Sequence, residues 1–171
     1  MTKGYVQVYT GNGKGKTTAA LGLALRSICA GKTVYMGQFI KGMAYSELKT
    51  PELLPGFEIH QFGRDCFIEK DPAPEDIECA REGFKQLQEA LSRGNYDIVI
   101  ADELNIATLY KLISVEEVLE LIENKPAQVE LIITGRYADE RVIEAADLVT
   151  EMQEVKHYYR IGVEAREGIE F

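Results

Sequence analysis

Apolar residues in this chain fall in short dense runs, separated by stretches in which they recur every three or four positions. The runs at residues 5–9, 33–40, 96–101 and 129–134 are rich in β-branched and aromatic side chains and predict strands, with shorter candidates at 57–62 and 148–152. Residues 17–30 read as a helix closed by Gly31, and 75–91 as another, with Ile77, Ala80, Phe84, Leu87 and Leu91 at helical spacing and Gly94-Asn95 as its stop. Ser114-Val115-Glu116-Glu117 is a capping box that opens a helix to about Ile122, ended by Asn124-Lys125-Pro126, and 139–146 is a further short helix. Between 41 and 74 the periodicity fades around Pro51 and Pro55. Apart from the strand at 57–62, that region reads as a lid or long functional loop.

Strands alternating with helices over the whole length predict an α/β fold: a three-layer, doubly wound, mainly parallel sheet. A length of 171 residues with 46% hydrophobic composition fits a single domain spanning 1–171 that needs no disulfide or metal to hold its core. In such sheets ligands bind beyond the carboxyl ends of the strands. Residues 10–18, 38–42, 102–105 and 134–136 each follow a strand, so they converge on one rim.

Charge and cysteine content narrow the function. Lys and Arg total 19 against 28 Asp and Glu, a net charge of −9, which leaves no overall basic footprint for nucleic acid. The three cysteines, Cys29, Cys66 and Cys79, are odd in number and none forms a C-x-x-C pair, as expected of a reduced, cytoplasmic chain. The first residues are too few and too polar for a signal peptide, and no apolar run is long enough to span a bilayer, so no membrane association is expected. Two histidines, His60 and His157, cannot build a histidine metal cage. Cys66 is either a reactive thiol or, more in keeping with base rates, a structural one.

The strongest chemical signal is Thr10-Gly11-Asn12-Gly13-Lys14-Gly15-Lys16-Thr17-Thr18, set between a strand and a helix. Glycines there let backbone amides cradle phosphate, Lys16 reaches the outer phosphates, and the Thr17 hydroxyl can ligate Mg²⁺. Measured against G-x-x-x-x-G-K-T, the first position is Thr10 and the glycine comes one place late at Gly11. A dinucleotide fingerprint is disfavoured, because its third glycine would fall at Lys16. Asp102-Glu103 ends an apolar strand as a Walker B element does, offering carboxylates to the metal, with Glu103 alternatively orienting a water. Lys41 and Arg136 are rim cations suited to phosphate or a substrate carboxylate, or else to a surface ion pair. Tyr45 and Phe67, in the lid, either contact a planar ligand or close the core. An ordinary ATPase or kinase and a non-catalytic nucleotide-binding module stay open on these residues alone.

The loop at 10–18, Gln38-Phe39-Ile40-Lys41-Gly42, Asp102-Glu103-Leu104, Ile133-Thr134-Gly135-Arg136 and the stretch from Val155-Lys156-His157 through Gly162 to Gly168-Ile169-Glu170-Phe171 together resemble the ATP:corrinoid adenosyltransferases of the cob(I)alamin type, over nearly the whole chain. The resemblance implies a homodimeric, RecA-like P-loop enzyme. It moves the 5′-deoxyadenosyl group of ATP onto Co(I) of a reduced corrinoid, complete cobalamin or cobyrinic acid a,c-diamide, and releases triphosphate. It further implies ATP bound in reverse on the loop, Mg²⁺ or Mn²⁺ held by Thr17 and Glu103 with Asp102, catalysis by Lys16 and Glu103, and a flavoprotein electron donor. Better-known members carry a glycine and an aromatic-x-Trp pair in the lid. Here Gly63 is followed by Arg64-Asp65-Cys66-Phe67 and the chain has no tryptophan, so Phe67 is the candidate substitute at the corrinoid. Many relatives also have an N-terminal extension over the site. This chain begins almost at its first strand, and the site is expected to be more open or closed by another segment.

Overall fold

The computed structural model describes residues 2–64 and 71–171. Six strands, β1 (Val6–Thr10), β2 (Val34–Phe39), β3 (Phe57–Phe62), β4 (Ile98–Asp102), β5 (Glu130–Thr134) and β6 (Leu148–Glu151), form one sheet in the order β3-β2-β4-β5-β1-β6. Every pairing is parallel, so the sheet is wholly rather than mainly parallel. The apolar runs account for this. β2 and β4 are buried at every position, as strands covered on both faces must be. The edge strands differ: β3 alternates, and all four residues of β6 are exposed.

The helices are α1 (Lys16–Cys29), α2 (Thr50–Leu53), α3 (Pro74–Ser92), α4 (Leu104–Leu109), α5 (Val115–Glu123) and α6 (Glu140–Ala145). One face of the sheet packs Val8, Val99, Leu131 and Ile133 against Phe84 and Leu87 of α3, Leu104 of α4, Val118 of α5 and Val142 of α6. The other face packs Met36, Ile98, Ile100 and Ile132 against Ala20 and Ala24 of α1. The expected three layers are present. No helix among the described residues is long and apolar enough to cross a membrane.

The strand expected at 57–62 is β3 of the sheet, while the stretch before it holds a 3₁₀ turn (Ser46–Lys49) running into α2, which the fading periodicity did not show. Ile77 shares the apolar stripe of α3 yet is 43% exposed, because the buried place in the first turn is taken by Asp76, which is paired with Arg64. α4, which immediately follows Glu103, has no counterpart in the sequence reading; six residues are too few for a helical period to show. Cys66 and Phe67 lie outside the described residues. Cys29 is exposed and Cys79 half-buried, both as free thiols.

Candidate active site

The carboxyl ends of β1, β2, β4 and β5 deliver their following segments to one rim, where a cavity of about 470 Å³ opens. The loop between β1 and α1 forms its floor. Gly11 has φ +93°, and a Cβ there would lie 2.5 Å from the Met152 carbonyl oxygen; at Gly13 it would lie 2.8 Å from the same atom. The Gly13 N–H donates to that oxygen at 2.6 Å. These two glycines thus serve the close passage of residues 151–153 as well as phosphate approach. Thr10, Gly11 and Asn12 lie behind the cavity wall: the Thr10 hydroxyl accepts the Ala138 N–H, and the Asn12 carbonyl accepts from Arg136 at 3.4 Å. Gly13, Lys14, Gly15, Lys16, Thr17 and Thr18 line the cavity.

Lys16 is only 6% exposed, and its ammonium donates to the carbonyls of Gly11 (2.8 Å) and Gly13 (2.7 Å). Burial, and then the positive Arg136, push its pKa below that of an ordinary lysine, with Glu103 and Asp102 opposing. Lys14 turns the other way, donating to the Ile169 carbonyl at 3.0 Å.

Asp102 is fully buried and gathers four donors. One carboxylate oxygen accepts from the hydroxyls of Thr17 (2.9 Å) and Thr134 (2.7 Å), the other from Gln38 Nε2 (3.2 Å) and Lys41 Nζ (2.8 Å). The register that pairs Gln38 with Asp102 across β2 and β4 makes this possible. Lys41 is therefore a partly buried ion-pair partner of a fully buried carboxylate, not a surface one. Burial alone would lower its pKa, but Asp102, and after it Glu47 and Glu103, outweigh that and hold the ammonium above its ordinary value. Tyr45 lies beneath the same ammonium, 4.9 Å from Nζ to ring centre.

Two non-glycine residues on this rim adopt left-handed backbone, Ile40 (φ +61°) and Glu103 (φ +59°). A β-branched residue there is a strained outlier, costing about 1–3 kcal/mol, and such strain gathers at functional sites. It aims the following Lys41 into the cavity, and at Glu103 it turns the chain directly into α4. The Glu103 N–H donates to the Thr134 hydroxyl at 3.0 Å while its side chain borders the cavity. Burial, then Asp102, raise its pKa above that of an ordinary carboxylate, against the pull of Lys41, Lys16 and Arg136.

The sequence reading gave no role to Thr134, Gln38 or Glu47, although the first two stand in recognised motifs. It also missed that residues 168–171 border the cavity. Among the described residues no three His, Cys, Asp or Glu side chains gather to hold a metal by themselves. Thr17, Asp102 and Glu103 are instead a partial set of hard oxygen donors, of the kind that suits Mg²⁺ completing its shell with phosphate and water. On the cavity wall the Ser46 hydroxyl donates to the main-chain oxygen of Phe171, and His157 Nδ1 accepts the Tyr159 N–H.

Residues 2–171 match the family described as ATP:corrinoid adenosyltransferase BtuR/CobO/CobP. A corrinoid adenosyltransferase of Sinorhizobium sp is 38% identical over 99% of this chain and 81% of its own length. Those of Pseudomonas aeruginosa and Escherichia coli K12 are 36% and 35% identical over 99% of this chain, covering 84% and 86% of theirs. The chain belongs to the ATP:corrinoid adenosyltransferase family.

Proposed function

We propose that this protein transfers the 5′-deoxyadenosyl group of ATP to the Co(I) centre of a reduced corrinoid and releases triphosphate. One observation carries the reading beyond family membership: a single cavity joins a phosphate loop, buried Lys16 and metal-type oxygen donors. The chemistry needs no protein nucleophile. Co(I) supplies the electron pair that forms the Co–C5′ bond, the C5′–O5′ bond breaks, and its electrons leave on the triphosphate.

The protein's task is then to hold C5′ in line and to stabilise charge on the leaving group. The loop amides and Lys16 hold the phosphates. Lys16 exchanges its contacts with the Gly11 and Gly13 carbonyls for phosphate oxygens, and partial desolvation strengthens that interaction. Thr17 and Glu103, backed by Asp102, would hold Mg²⁺ or Mn²⁺, which supplies further charge neutralisation when bound. Arg136 and Lys41 add positive charge at the rim. ATP bound in reverse, with its sugar towards the cavity mouth, leaves C5′ accessible to the corrinoid. A cytoplasmic homodimer served by an electron-donating flavoprotein completes this reading on the strength of the family.

Incubation with MgATP and chemically reduced corrinoid tests it. A light-sensitive cobalt–carbon product with intact triphosphate is expected; ADP and phosphate would make the protein an ordinary ATPase, and bound but unchanged ATP a binding module.

A further inference from the structure

Thr134, the last residue of β5, is fully buried, and its hydroxyl is used in both directions. It donates to Asp102 Oδ1 at 2.7 Å and accepts the Glu103 N–H at 3.0 Å, so one atom ties both members of the acidic pair. Thr134 has little freedom of its own. β5 lies between β4 and β1, with Ile133 opposite Ala101 and Thr134 itself opposite Tyr9, and the Gly135 N–H donates to the Tyr9 carbonyl at 3.1 Å. The hydroxyl is thereby fixed relative to the strand that carries the phosphate loop as well as to the one that carries the acidic pair.

Glu103 needs such a hold. Its backbone is left-handed, φ +59°, a conformation that persists in a residue other than glycine only where the surroundings dictate it. A second contact grips the same turn from its far side: Asn105 of α4, 2% exposed, donates from Nδ2 to the Gly135 carbonyl at 3.0 Å. A Cβ on Gly135 would stand 2.9 Å from the Cβ of Asn105, so α4 can come this close only because residue 135 is glycine. Residues 134 and 135 thus clamp residues 103 and 105, while the Glu103 side chain borders the cavity.

We infer that Thr134 is a positioning residue for the transfer reaction, setting where the Glu103 carboxylate stands, with Asn105 bracing the same turn. A hydroxyl is required because a donor to Asp102 and an acceptor for the Glu103 N–H must be combined in one atom; valine fills the same space and offers neither. The inference rests on the transferase reading in giving Glu103 a part in the reaction.

A kinetic cycle on the full chain with MgATP and reduced corrinoid tests it. At saturating substrates and Mg²⁺, Thr134→Val should lower kcat by about 10- to 100-fold, the scale of a small misplacement of a reacting group, and Thr134→Ser should restore it to within about threefold. In a Glu103→Gln background the same valine should cost less than about threefold, because the group it positions is already gone. Mn²⁺ binding to the ATP complex, followed by electron paramagnetic resonance, gives a readout independent of turnover: Thr134→Val should weaken it, and should weaken it no further once Glu103 is Gln. A full loss of kcat in the Glu103→Gln background, a serine variant as slow as the valine one, or Mn²⁺ binding unchanged in Thr134→Val overturns the inference. If Thr134→Val does not fold, Asn105→Ala decides in the same cycle, with a loss that disappears in the Glu103→Gln background required. Wild type that forms no cobalt–carbon product contradicts the transferase reading itself, and the inference falls with it.

Discussion

The ammonium of Lys41 lies 2.8 Å from the Asp102 carboxylate and 3.4 Å from the Thr17 hydroxyl, bridging two of the groups that the resemblance assigns to the metal. Asp102 is fully buried, so an uncompensated charge there would be costly. Lys41→Met leaves the carboxylate only neutral donors, and a stability loss of about 3 kcal/mol is expected. Adding Asp102→Asn should recover much of it. A denaturant-unfolding cycle over the two single variants and the double measures the coupling; strictly additive losses would show that the pair does not act as a unit.

Lys16 and Glu103 stand at opposite ends of the charge stabilisation proposed for the leaving triphosphate. Lys16→Ala and Glu103→Ala should each lower kcat/KM by about 100- to 1000-fold, the usual consequence of removing one preorganised electrostatic contact. Steady-state kinetics with reduced corrinoid checks this. Near-normal turnover in either variant removes that residue from the role assigned to it.

Gly11 combines a left-handed backbone with contact against residue 152. Gly11→Ala adds a Cβ 2.5 Å from the Met152 carbonyl oxygen, at φ +93°. Stability should fall by at least about 1–2 kcal/mol from the backbone alone. Urea unfolding measures the loss, and an unchanged midpoint would mean that the loop moves freely away from residues 151–153.

Asp76 accepts from the Arg64 guanidinium at 2.6 and 2.8 Å and from the Ala73 N–H at 2.8 Å. The Arg64 bonds, against the cost of burial, hold its carboxyl below the ordinary carboxylate value. A carboxyl lowered on folding stabilises above its unfolded pKa and loses that contribution as pH falls through the folded one. Wild type should therefore melt above Asp76→Asn at pH 7, with the gap closing below about pH 4. A gap independent of pH would assign the stabilisation to packing.

The sheet was legible because parallel strands buried on both faces must be written as unbroken apolar runs, as in Ile98–Asp102 and Glu130–Thr134. The phosphate loop was legible because its chemistry is local. The Asp102 network was not: Gln38 and Thr134 reach Asp102 through strand register, 64 and 32 positions away in the chain. Nor could local pattern place Ile169 beside Lys14, 155 positions distant. The left-handed Ile40 runs against its own residue type, and only tertiary structure holds it there. Phe67, expected at the corrinoid, lies outside the described residues.

The central claim is that the bond broken is the one between C5′ and its oxygen, and ATP labelled with ¹⁸O at the 5′ position reports on it directly. Turnover with reduced corrinoid, followed by mass spectrometry of the products, should find the label in the released triphosphate and none in the adenosyl product. Label retained on the nucleoside would place cleavage at phosphorus and contradict the account.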